Sequence, residues 1–347
     1  MSGTAQGTDT RYLPGMSLHD YEQHMKEYHQ HVAELLDPAR MAALTGARWL
    51  EGRNEFDTDD NGGRGDSYRR AQRADGARRQ GIARLFTELA GPDHAALSRV
   101  LDVLGGDGLL TRVWRGMSGA RNSGPVPLIT GDVSAGMVRS ALDRGLPAVR
   151  QQAHSLLHRD GVLDGVLLAY GTHHLEVGHR PAALREAYRC LGRGGRVALH
   201  DFDERSAVAR WFREAVAPYS RAGHAYPHFT AEEMRGYLES AGFADVEADR
   251  MYDPVVIEGD SEEEALAGLA DYMTDMYGLA LITEAAQSRA DARDTVLCML
   301  RDIFRYTDAD LPYDAPGAVR DLTVHRAGAR FRAELPRVAL LATGTKN

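Results

Sequence analysis

The feature that most constrains the fold is an apolar strand that leads directly into a glycine-rich turn, at residues 100–112. The segment reads VLDVLGGDGLLTR, so three glycines separate the apolar strand from the start of an apolar helix. Glycine at such a turn lets the backbone approach a ligand where a Cβ would collide. Asp102 could accept hydrogen bonds there from a cationic amino group or a turn amide. Several nucleotide-binding folds share this single pattern.

Further strand and helix signals follow this turn in a fixed order. From residue 99 onward, short apolar runs alternate with helical segments, which is typical of a parallel sheet with crossover helices. Proline near the start and glycines after the end mark one of these helices, at residues 181–191. The strands that we predict cover residues 100–104, 126–130, 148–151, 162–169 and 196–201. The sequence therefore predicts a doubly wound α/β core.

The regions on either side of this core have a different pattern. Apolar residues at three- and four-residue steps predict a helical N-terminal region within residues 1–90. Residues 56–66 combine turn formers with acids but lack the spacing of a calcium-binding loop, so we expect a solvated loop there. We place the core at residues 91–256, a helical insertion or lid at 257–334 and the final core strand at 335–347.

Polar side chains stand at the ends of the later strands. Asp132 follows the second strand, where an acid can hold two ribose hydroxyls. The third strand ends in amide side chains that include Gln152, near the position expected for an adenine. The fourth strand leads through Ala169 and Tyr170 into an exit loop. Four elements in this order are much harder to obtain by chance than one glycine turn, and they predict a nucleoside-binding site.

Over residues 98–252 and again at 335–345, the sequence resembles the class I S-adenosylmethionine-dependent methyltransferases. In that family the first loop follows Asp-x-Gly-x-Gly-x-Gly, and this chain has Leu104 at the first glycine position. The resemblance implies a seven-stranded, Rossmann-like sheet and S-adenosylmethionine as the cofactor. The cofactor residues that it implies are Asp102, Gly105, Gly106 and Gly108 near the methionine part, Asp132 at the ribose, Val133, Gln152 and Ala153 at the adenine, and Ala169 and Tyr170 at the sulfonium side.

Three other interpretations of the nucleoside site stay open. A nicotinamide dehydrogenase would need Gly-x-Gly-x-x-Gly after the strand, and the turn at residues 105–108 has no third glycine at that spacing. Leu104 could instead mark a relative of the fold that has lost its cofactor. A protein that keeps the cofactor but transfers no methyl group, acting in binding or rearrangement, is the alternative from a different functional class.

Two adjacent histidines are the candidate catalytic residues. Methyl transfer from a sulfonium is an in-line displacement, which needs an aligned nucleophile and often a general base. His173 and His174 follow the fourth strand, and open α/β sheets bind ligands at the carboxyl ends of their strands. We predict that one of the two takes the acceptor's proton, while the alternative is that one of them only packs or caps. The base does not decide between carbon and oxygen as the methylated atom.

Other histidines of the core could reach the same cleft. We interpret His200, His224 and His228 as structural or substrate-contacting residues and choose His228 as a substrate contact. A metal site could be built from His173, His200, Asp201 and His228, but no short ligand-pair motif supports it. We therefore predict no metal.

Two regions outside the core offer substrate contacts. Guanidinium groups bind carboxylates bidentately, and we choose Arg79 for this role, with its neighbour Arg78 as an equal candidate and an exposed charged helix as the alternative. Tyr272 of the insertion is predicted to line a pocket for a flat substrate or to belong to the insertion's own core. The layout is similar to bacterial methyltransferases of specialised metabolism, such as antibiotic biosynthesis, including those that methylate aromatic amino-acid-derived rings on carbon. We expect a small aromatic or amino-acid-like acceptor.

Charge and composition exclude several kinds of partner. The net charge of -9 argues against a nucleic-acid partner, because phosphate contacts need clustered Lys and Arg. The longest apolar run, residues 165–171, is far short of the roughly 20 residues that span a bilayer. Only Cys190 and Cys298 occur and the N-terminus lacks the pattern of a secretion signal, so we expect a cytoplasmic location. The oligomeric state, including a homodimer, stays open.

Overall fold

The computed structural model describes residues 10–91, 97–118 and 128–347, so residues 126 and 127 of the predicted second strand lie outside the described residues. The strands Val100–Asp102, Leu128–Asp132 and Ala148–Arg150 are buried almost throughout rather than at alternate residues, as expected for a parallel sheet that is covered on both faces. The strands are β1 Arg11–Leu13, β2 Met16–Ser17, β3 Val100–Asp102, β4 Leu128–Asp132, β5 Ala148–Arg150, β6 Leu163–Leu168, β7 Leu191–Asp201, β8 Ala244–Tyr252, β9 Val255–Gly259, β10 Thr323–Ala327, β11 Arg330–Leu335 and β12 Val338–Thr345.

The helices begin where the sequence supplies caps. Ser134 caps the helix Ala135–Asp143, Thr230 forms a capping box on the helix Ala231–Ala241, and a proline stands in the first turn of the helix Arg180–Cys190. The helices are α1 Leu18–Tyr28, α2 Gln30–Ala33, α3 Pro38–Ala42, α4 Gly65–Ala71, α5 Arg79–Ala90, α6 Leu109–Ser118, α7 Ala135–Asp143, α8 Arg180–Cys190, α9 Ala207–Trp211, α10 Ala217–Tyr219, α11 Ala231–Ala241, α12 Glu262–Tyr277, α13 Ala280–Ala285 and α14 Arg289–Ile303. A π-helical segment, Phe212–Val216, joins α9 to α10.

The central sheet has seven strands in the order β5-β4-β3-β6-β7-β12-β8. Strand β12 runs antiparallel to β7 and β8, whereas β3, β4, β5, β6 and β7 pair in parallel. The predicted doubly wound, seven-stranded α/β fold is therefore confirmed. The direction of winding reverses beside β3, and in such sheets ligands bind in the crevice outside the carboxyl ends of the strands at this point.

The N-terminal region is fastened to the edge of the sheet. It contains helices α1 to α5, as predicted, and a two-stranded hairpin of β1 and β2 that the sequence pattern did not indicate. Buried Tyr12 and Tyr21 donate their hydroxyl hydrogens to the carbonyl oxygens of Arg150 and Ala148 in β5. These bonds satisfy backbone groups at the edge strand and bring the N-terminal region over the carboxyl end of the sheet.

The late insertion is only partly helical. Helices α12 to α14 confirm the expected helical character, but β10 and β11 form an antiparallel hairpin that pairs with β9 in a second, three-stranded sheet. The prediction of a helical segment at residues 257–334 is therefore wrong for this hairpin. In β11 only Ala333 and Leu335 are buried, and most of the other positions carry charged residues. The sequence therefore lacks the strong apolar alternation by which a strand is recognised.

Apolar side chains cover both faces of the central sheet and also form the core of the insertion. One cluster joins α1, α7, α8 and α11 to one face, a second joins α5 and α6 to the other, and a third holds the insertion around Trp211. Among the described residues, no helix combines the length and the apolar character that crossing a membrane requires.

The capping box of α11 gives a first test of the fold. The Thr230 hydroxyl accepts the Glu233 amide hydrogen at 3.1 Å, and the Glu233 carboxylate accepts the Thr230 amide hydrogen at 2.8 Å. We expect Thr230→Ala to lower the free energy of unfolding by about 1 kcal/mol in urea titrations, because one helix donor loses its acceptor. Thr295→Ala, at an exposed position inside α14, makes the same chemical change away from a cap and should have little effect. Equal losses in both variants would contradict the capping role.

Candidate active site

One cavity joins the glycine-rich turn to the histidines that follow β6. Its floor is formed at the carboxyl ends of β3, β4 and β6, and its roof comes from the N-terminal region and from α12. Lining residues at the first end include Leu104, Gly106, Asp132, Val133 and Met137, at the second end His173, His174, Phe212, Tyr226 and Tyr277, and in the roof Phe56, Arg64, Tyr68, Arg78 and Met276. The cavity thus brings together chain segments from both halves of the sequence.

The glycine-rich turn needs its glycines. A Cβ at Gly105 would lie 2.8 Å from Thr130 Cγ2 and 3.0 Å from an oxygen of Asp102, and Gly108 has a φ of +86°. Leu104, which replaces the first family glycine, is not among the residues with positive φ, so its backbone is not strained. Its side chain lines the cavity instead. The departure from the family pattern therefore changes the wall of the cavity and leaves the turn intact.

Two carboxyl groups lie under this turn without a cationic side chain bonded to either. Oδ1 of buried Asp102 has no hydrogen-bond partner, and burial together with the charge of Asp132 raises the pKa of Asp102 to about 8. Asp132 accepts the amide hydrogens of Gly106 at 2.9 Å and Ser134 at 2.8 Å, and burial raises its pKa to about 6. A bound cation or hydrogen-bond donor would relieve both costs.

The predicted adenine residues are only partly at the cavity. Val133 lines it, but Ala153 is buried in the apolar core and Gln152 is paired with Ser155 away from the lining. Sequence order places Gln152 and Ala153 after a strand, but it does not show that the N-terminal region packs against that end of the sheet.

The loop at residues 56–66 does not have the solvated role that we expected. A carboxylate oxygen of Asp57 accepts hydrogens from the Ser134 hydroxyl at 2.7 Å and the Gly136 amide at 3.1 Å, at the start of α7. Phe56, from the same loop, lines the cavity. Asp57 therefore fastens the roof to the floor, a role that composition alone does not distinguish from solvation.

The exit of β6 has an unusual backbone conformation. Tyr170 lines the cavity and has a φ of +61°, which is rare for a residue with a side chain, and Ala169 before it is buried in the core. The Tyr170 hydroxyl donates to Asp253 at 3.0 Å, and this bond holds the ring in place. The wall between the two ends of the cavity is therefore fixed by the fold.

Of the two arginines that we considered for a carboxylate, Arg78 and not Arg79 faces the cavity. Arg79 is exposed at the start of α5, so its choice is corrected. Arg78 is buried, with its guanidinium 4.5 Å from the centre of the Tyr170 ring. It donates to Gln72 at 2.9 Å and its Nε has no partner. No ion pair of Arg78 with a carboxylate is found in the described part of the chain.

The two other cavity-lining arginines already have carboxylate partners. Arg64 donates to Glu55 at 3.0 Å, and buried Arg337 donates to Asp253 at 2.6 Å. Sequence reasoning missed both of them. For Arg337 a signal existed, because a charge interrupts the apolar run that ends the chain, and a buried charge requires a partner.

The two adjacent histidines have different partners. Nδ1 of His174 lies 3.1 Å from Glu55, and Nε2 lies 3.1 Å from an Arg64 nitrogen. Because arginine can only donate, the lone pair of Nε2 is occupied. Burial and the neighbouring His173 lower the pKa of His174 to about 4. His174 is therefore neutral near pH 7, but its acceptor nitrogen is not free to take a proton from another molecule.

His173 has a free acceptor nitrogen. Its Nδ1 lies 2.9 Å from Asp201 Oδ2, an arrangement in which Nδ1 carries the hydrogen and Nε2 does not. Nε2 is buried without a partner, and the residue lines the cavity. Burial lowers the pKa of His173, and the carboxylate of Asp201 opposes this shift. Between the two histidines, the geometry favours His173.

The remaining predicted substrate contacts lie outside the cavity lining. Tyr272 packs in the core of the insertion, while Met276 and Tyr277, one turn further along α12, reach the cavity. His228 lies behind His173, with ring centres 5.0 Å apart. His224 stacks on Phe212 with ring centres 4.0 Å apart. Helical periodicity predicts which residues share a face, but it does not fix which turn of that face borders a cavity.

Comparison with known proteins agrees with this geometry. Residues 71–248 match the family model described as a methyltransferase domain. A ubiquinone/menaquinone biosynthesis C-methyltransferase of Stenotrophomonas maltophilia K279a is 34% identical over 123 residues, covering 33% of this chain and 46% of that protein. Its counterpart in Xanthomonas oryzae is 30% identical over 174 residues, covering 42% and 66%. The chain thus spans about half the length of the first of these relatives. The solved YcgJ protein of Bacillus subtilis aligns with a TM-score of 0.45 at 16% identity, covering 77% of this chain and 98% of that one.

The buried carboxyl of Asp102 makes a prediction for the ligand-free protein. Its folded-state pKa of about 8 lies above the ordinary value of 3.8, so the folded state binds the proton more tightly and loses stability as pH rises between these values. In Asp102→Asn this loss is absent. We expect the drop in unfolding free energy from about pH 5 to about pH 8, measured in urea, to shrink by about 1 kcal/mol or more. Asp245→Asn, at an exposed position, is the control, and an unchanged drop in Asp102→Asn would contradict the assignment.

Proposed function

This chain belongs to the methyltransferase-domain family, and on that premise we propose that it transfers the methyl group of S-adenosylmethionine to a small, flat acceptor. The observation that carries the proposal is the single cavity with two different ends. One end offers glycines and carboxylates that suit a nucleoside with a cationic amino-acid part. The other end offers aromatic rings and a histidine with a free acceptor nitrogen. Donor and acceptor can therefore meet inside one cavity.

The residues under the glycine turn fit the cofactor. The unpartnered oxygen of Asp102 suits an ammonium group, and Asp132 keeps lone pairs for ribose hydroxyls beyond the two amides that it accepts. The close approach at Gly105 leaves no room for a side chain beside them. When bound there, S-adenosylmethionine supplies an electrophilic methyl group on its sulfonium.

Arg78 completes this end as the partner of the cofactor's carboxylate. The guanidinium lowers the pKa of Asp102, in opposition to the larger effect of burial, which indicates that the two side chains lie within electrostatic reach of each other. A methionine group carries one positive and one negative charge, so an acid and an arginine side by side match both. Since Arg64 and Arg337 are paired to carboxylates of the protein, Arg78 is the cavity arginine that is available.

The second end fits a planar acceptor. Phe56, Phe212, Tyr226 and Tyr277 line it, and aromatic walls favour flat ligands. In our proposal His173 accepts the proton of an acceptor hydroxyl through Nε2, while Asp201 keeps Nδ1 protonated and stabilises the charged ring. Ionisation of the acceptor increases its nucleophilicity at oxygen and at the neighbouring ring carbon. His174 is a positioning residue that joins Glu55 and Arg64 of the roof to the floor.

The named activity of the relatives supports carbon as the methylated atom. The two relatives described above are named C-methyltransferases of ubiquinone and menaquinone biosynthesis, and each shares about a third of its residues with the aligned part of this chain. Two aromatic residues of the acceptor end, Phe56 of the roof and Tyr277 of the late insertion, lie outside residues 71–248 that match the family model. We therefore propose carbon methylation of a small phenol or enol, with an aromatic or amino-acid-derived acceptor of specialised metabolism as its class.

Calorimetry and mass spectrometry test the function directly. We expect the protein to bind S-adenosylmethionine and S-adenosylhomocysteine at one site per chain. Incubation with a panel of phenolic and 2-oxo acids should yield a product that is heavier by one CH2 group. Asp132→Asn should weaken binding about 10-fold or more, because a hydrogen bond to a charged group is lost. If neither ligand binds to the folded protein, the proposal fails.

The role of Arg78 is tested by a cycle of two ligands and two variants. S-adenosylhomocysteine carries the amino group and the carboxylate of its homocysteine moiety, whereas 5′-methylthioadenosine has neither. We expect Arg78→Met to weaken binding of the first about 10-fold or more and to leave binding of the second unchanged, because only the first carries a carboxylate. Arg79→Met, at the exposed neighbour, should change neither. Equal losses for both ligands in Arg78→Met would show a general structural role instead.

A further inference from the structure

We propose that His173, Asp201 and His228 bind one divalent transition-metal ion at the acceptor end of the cavity. The ligand set is three side chains, two imidazoles and one carboxylate, whose candidate donor atoms all lie within 4.8 Å of one another. His173 follows β6, Asp201 ends the adjacent strand β7, and His228 comes from the loop before α11. The fold therefore brings them together from distant parts of the chain.

The strongest evidence is the number of buried ring nitrogens that have no partner. Nε2 of His173 and both Nδ1 and Nε2 of His228 are buried without a hydrogen bond, and the two side chains are 2% and 7% exposed. Nε2 of the adjacent His224 is also without a partner. Buried polar atoms normally find partners, because leaving one unsatisfied costs about 1–3 kcal/mol. A metal ion shared with Asp201 would give one nitrogen of His228 a partner, whereas a packing role would leave both nitrogens of that ring unsatisfied.

The separations between the donor atoms suit a shared ion. His173 Nδ1 lies 2.9 Å from Asp201 Oδ2, and His228 Nδ1 lies 3.6 Å from Asp201 Oδ1. Ligand atoms about 2.0–2.1 Å from one metal are separated by about 3.0 Å in octahedral and about 3.4 Å in tetrahedral geometry. Small side-chain movements would therefore complete the site. Binding would replace the hydrogen of His173 Nδ1, which leaves as a proton.

The carboxylate is fixed by the backbone before any ion binds. Asp201 accepts the amide hydrogens of His173 and Phe202, each at 2.7 Å. Arg180 donates to the carbonyl oxygens of Pro227 and His173, so it ties the loop of His228 to the turn of His173. Supporting hydrogen bonds of this kind orient metal ligands and strengthen binding.

The donor set indicates the class of ion. Two imidazoles and one carboxylate suit iron(II), cobalt(II) or zinc(II) rather than calcium or magnesium, which prefer oxygen ligands. Three protein ligands leave coordination positions open, and because His173 borders the cavity, an open position can face the acceptor. The sequence analysis considered these three residues together with His200 but predicted no metal, because the ligands are not neighbours in a short motif.

The role of the ion in catalysis, unlike the metal site itself, rests on the proposed function. An acceptor hydroxyl that binds the ion loses its proton to water, the metal–oxygen bond forms, and the acceptor is held as an anion. His173 then acts as a ligand, and the ion replaces it as the group that ionises the acceptor. An acceptor with two adjacent oxygens, such as a catechol or the enol of a 2-oxo acid, would occupy two open positions.

Cobalt(II) binding tests the site without reference to methyl transfer. Protein freed of metal by a chelator should bind one cobalt ion per chain in calorimetry, with visible absorption bands of a nitrogen- and oxygen-ligated ion. We expect His228→Ala and Asp201→Asn to weaken binding at least about 10-fold. His179→Ala, whose half-buried side chain stacks on His154 outside the cluster, should bind cobalt as the wild type does. Circular dichroism melting identifies any variant that fails to fold, and His228→Asn then replaces His228→Ala.

The outcomes separate this inference from the proposed function. If the folded wild type binds no cobalt, or if both variants bind it as tightly as the wild type, the metal site is wrong. Full methyl transfer by metal-free protein would overturn the catalytic role of the ion while the proposed function stands. Stoichiometric cobalt binding without any binding of S-adenosylhomocysteine would support the site and defeat the proposed function.

Discussion

The hydrogen bond from the Gly106 amide to the Asp132 carboxylate is the contact on which the rest of the site depends. It joins the turn after β3 to the end of β4 across the sheet. The same carboxylate accepts the Ser134 amide at the start of α7. A single acid therefore fixes two neighbouring loops of the cavity floor, beside Asp102 at the end of β3. Placing a buried carboxylate here costs stability, and this cost is what a cationic ligand can recover.

The roof is built on this floor by polar contacts rather than by apolar packing alone. Asp57 binds the first turn of α7, while Arg64 joins Glu55, His174 and a carbonyl oxygen of α12. These contacts connect the N-terminal region and the insertion through the cavity itself. The family core thus supplies one half of the enclosure, and the added segments supply the other half.

Sequence reasoning predicted the core well because its signals are local. The strand that ends at Asp102, the glycines after it and Asp132 follow one another at fixed spacing, and each has a physical role that its residue type requires. Arg79, Gln152 and Tyr272 lie outside the cavity lining, because facing a cavity depends on packing between segments far apart in the chain. Arg78 faces the cavity whereas its neighbour Arg79 faces solvent. Helical periodicity alone does not determine which of the two faces inwards. The cluster of His173, Asp201 and His228 depends in the same way on three separate segments.

The contacts that tie the roof to the floor have a kinetic consequence. Lifting the N-terminal segment away from the floor would break the bonds of Asp57 to α7 and of Arg64 to His174. Loop and lid motions of this kind occur on the microsecond to millisecond timescale. The strength of these few hydrogen bonds would therefore set how often the roof separates from the floor.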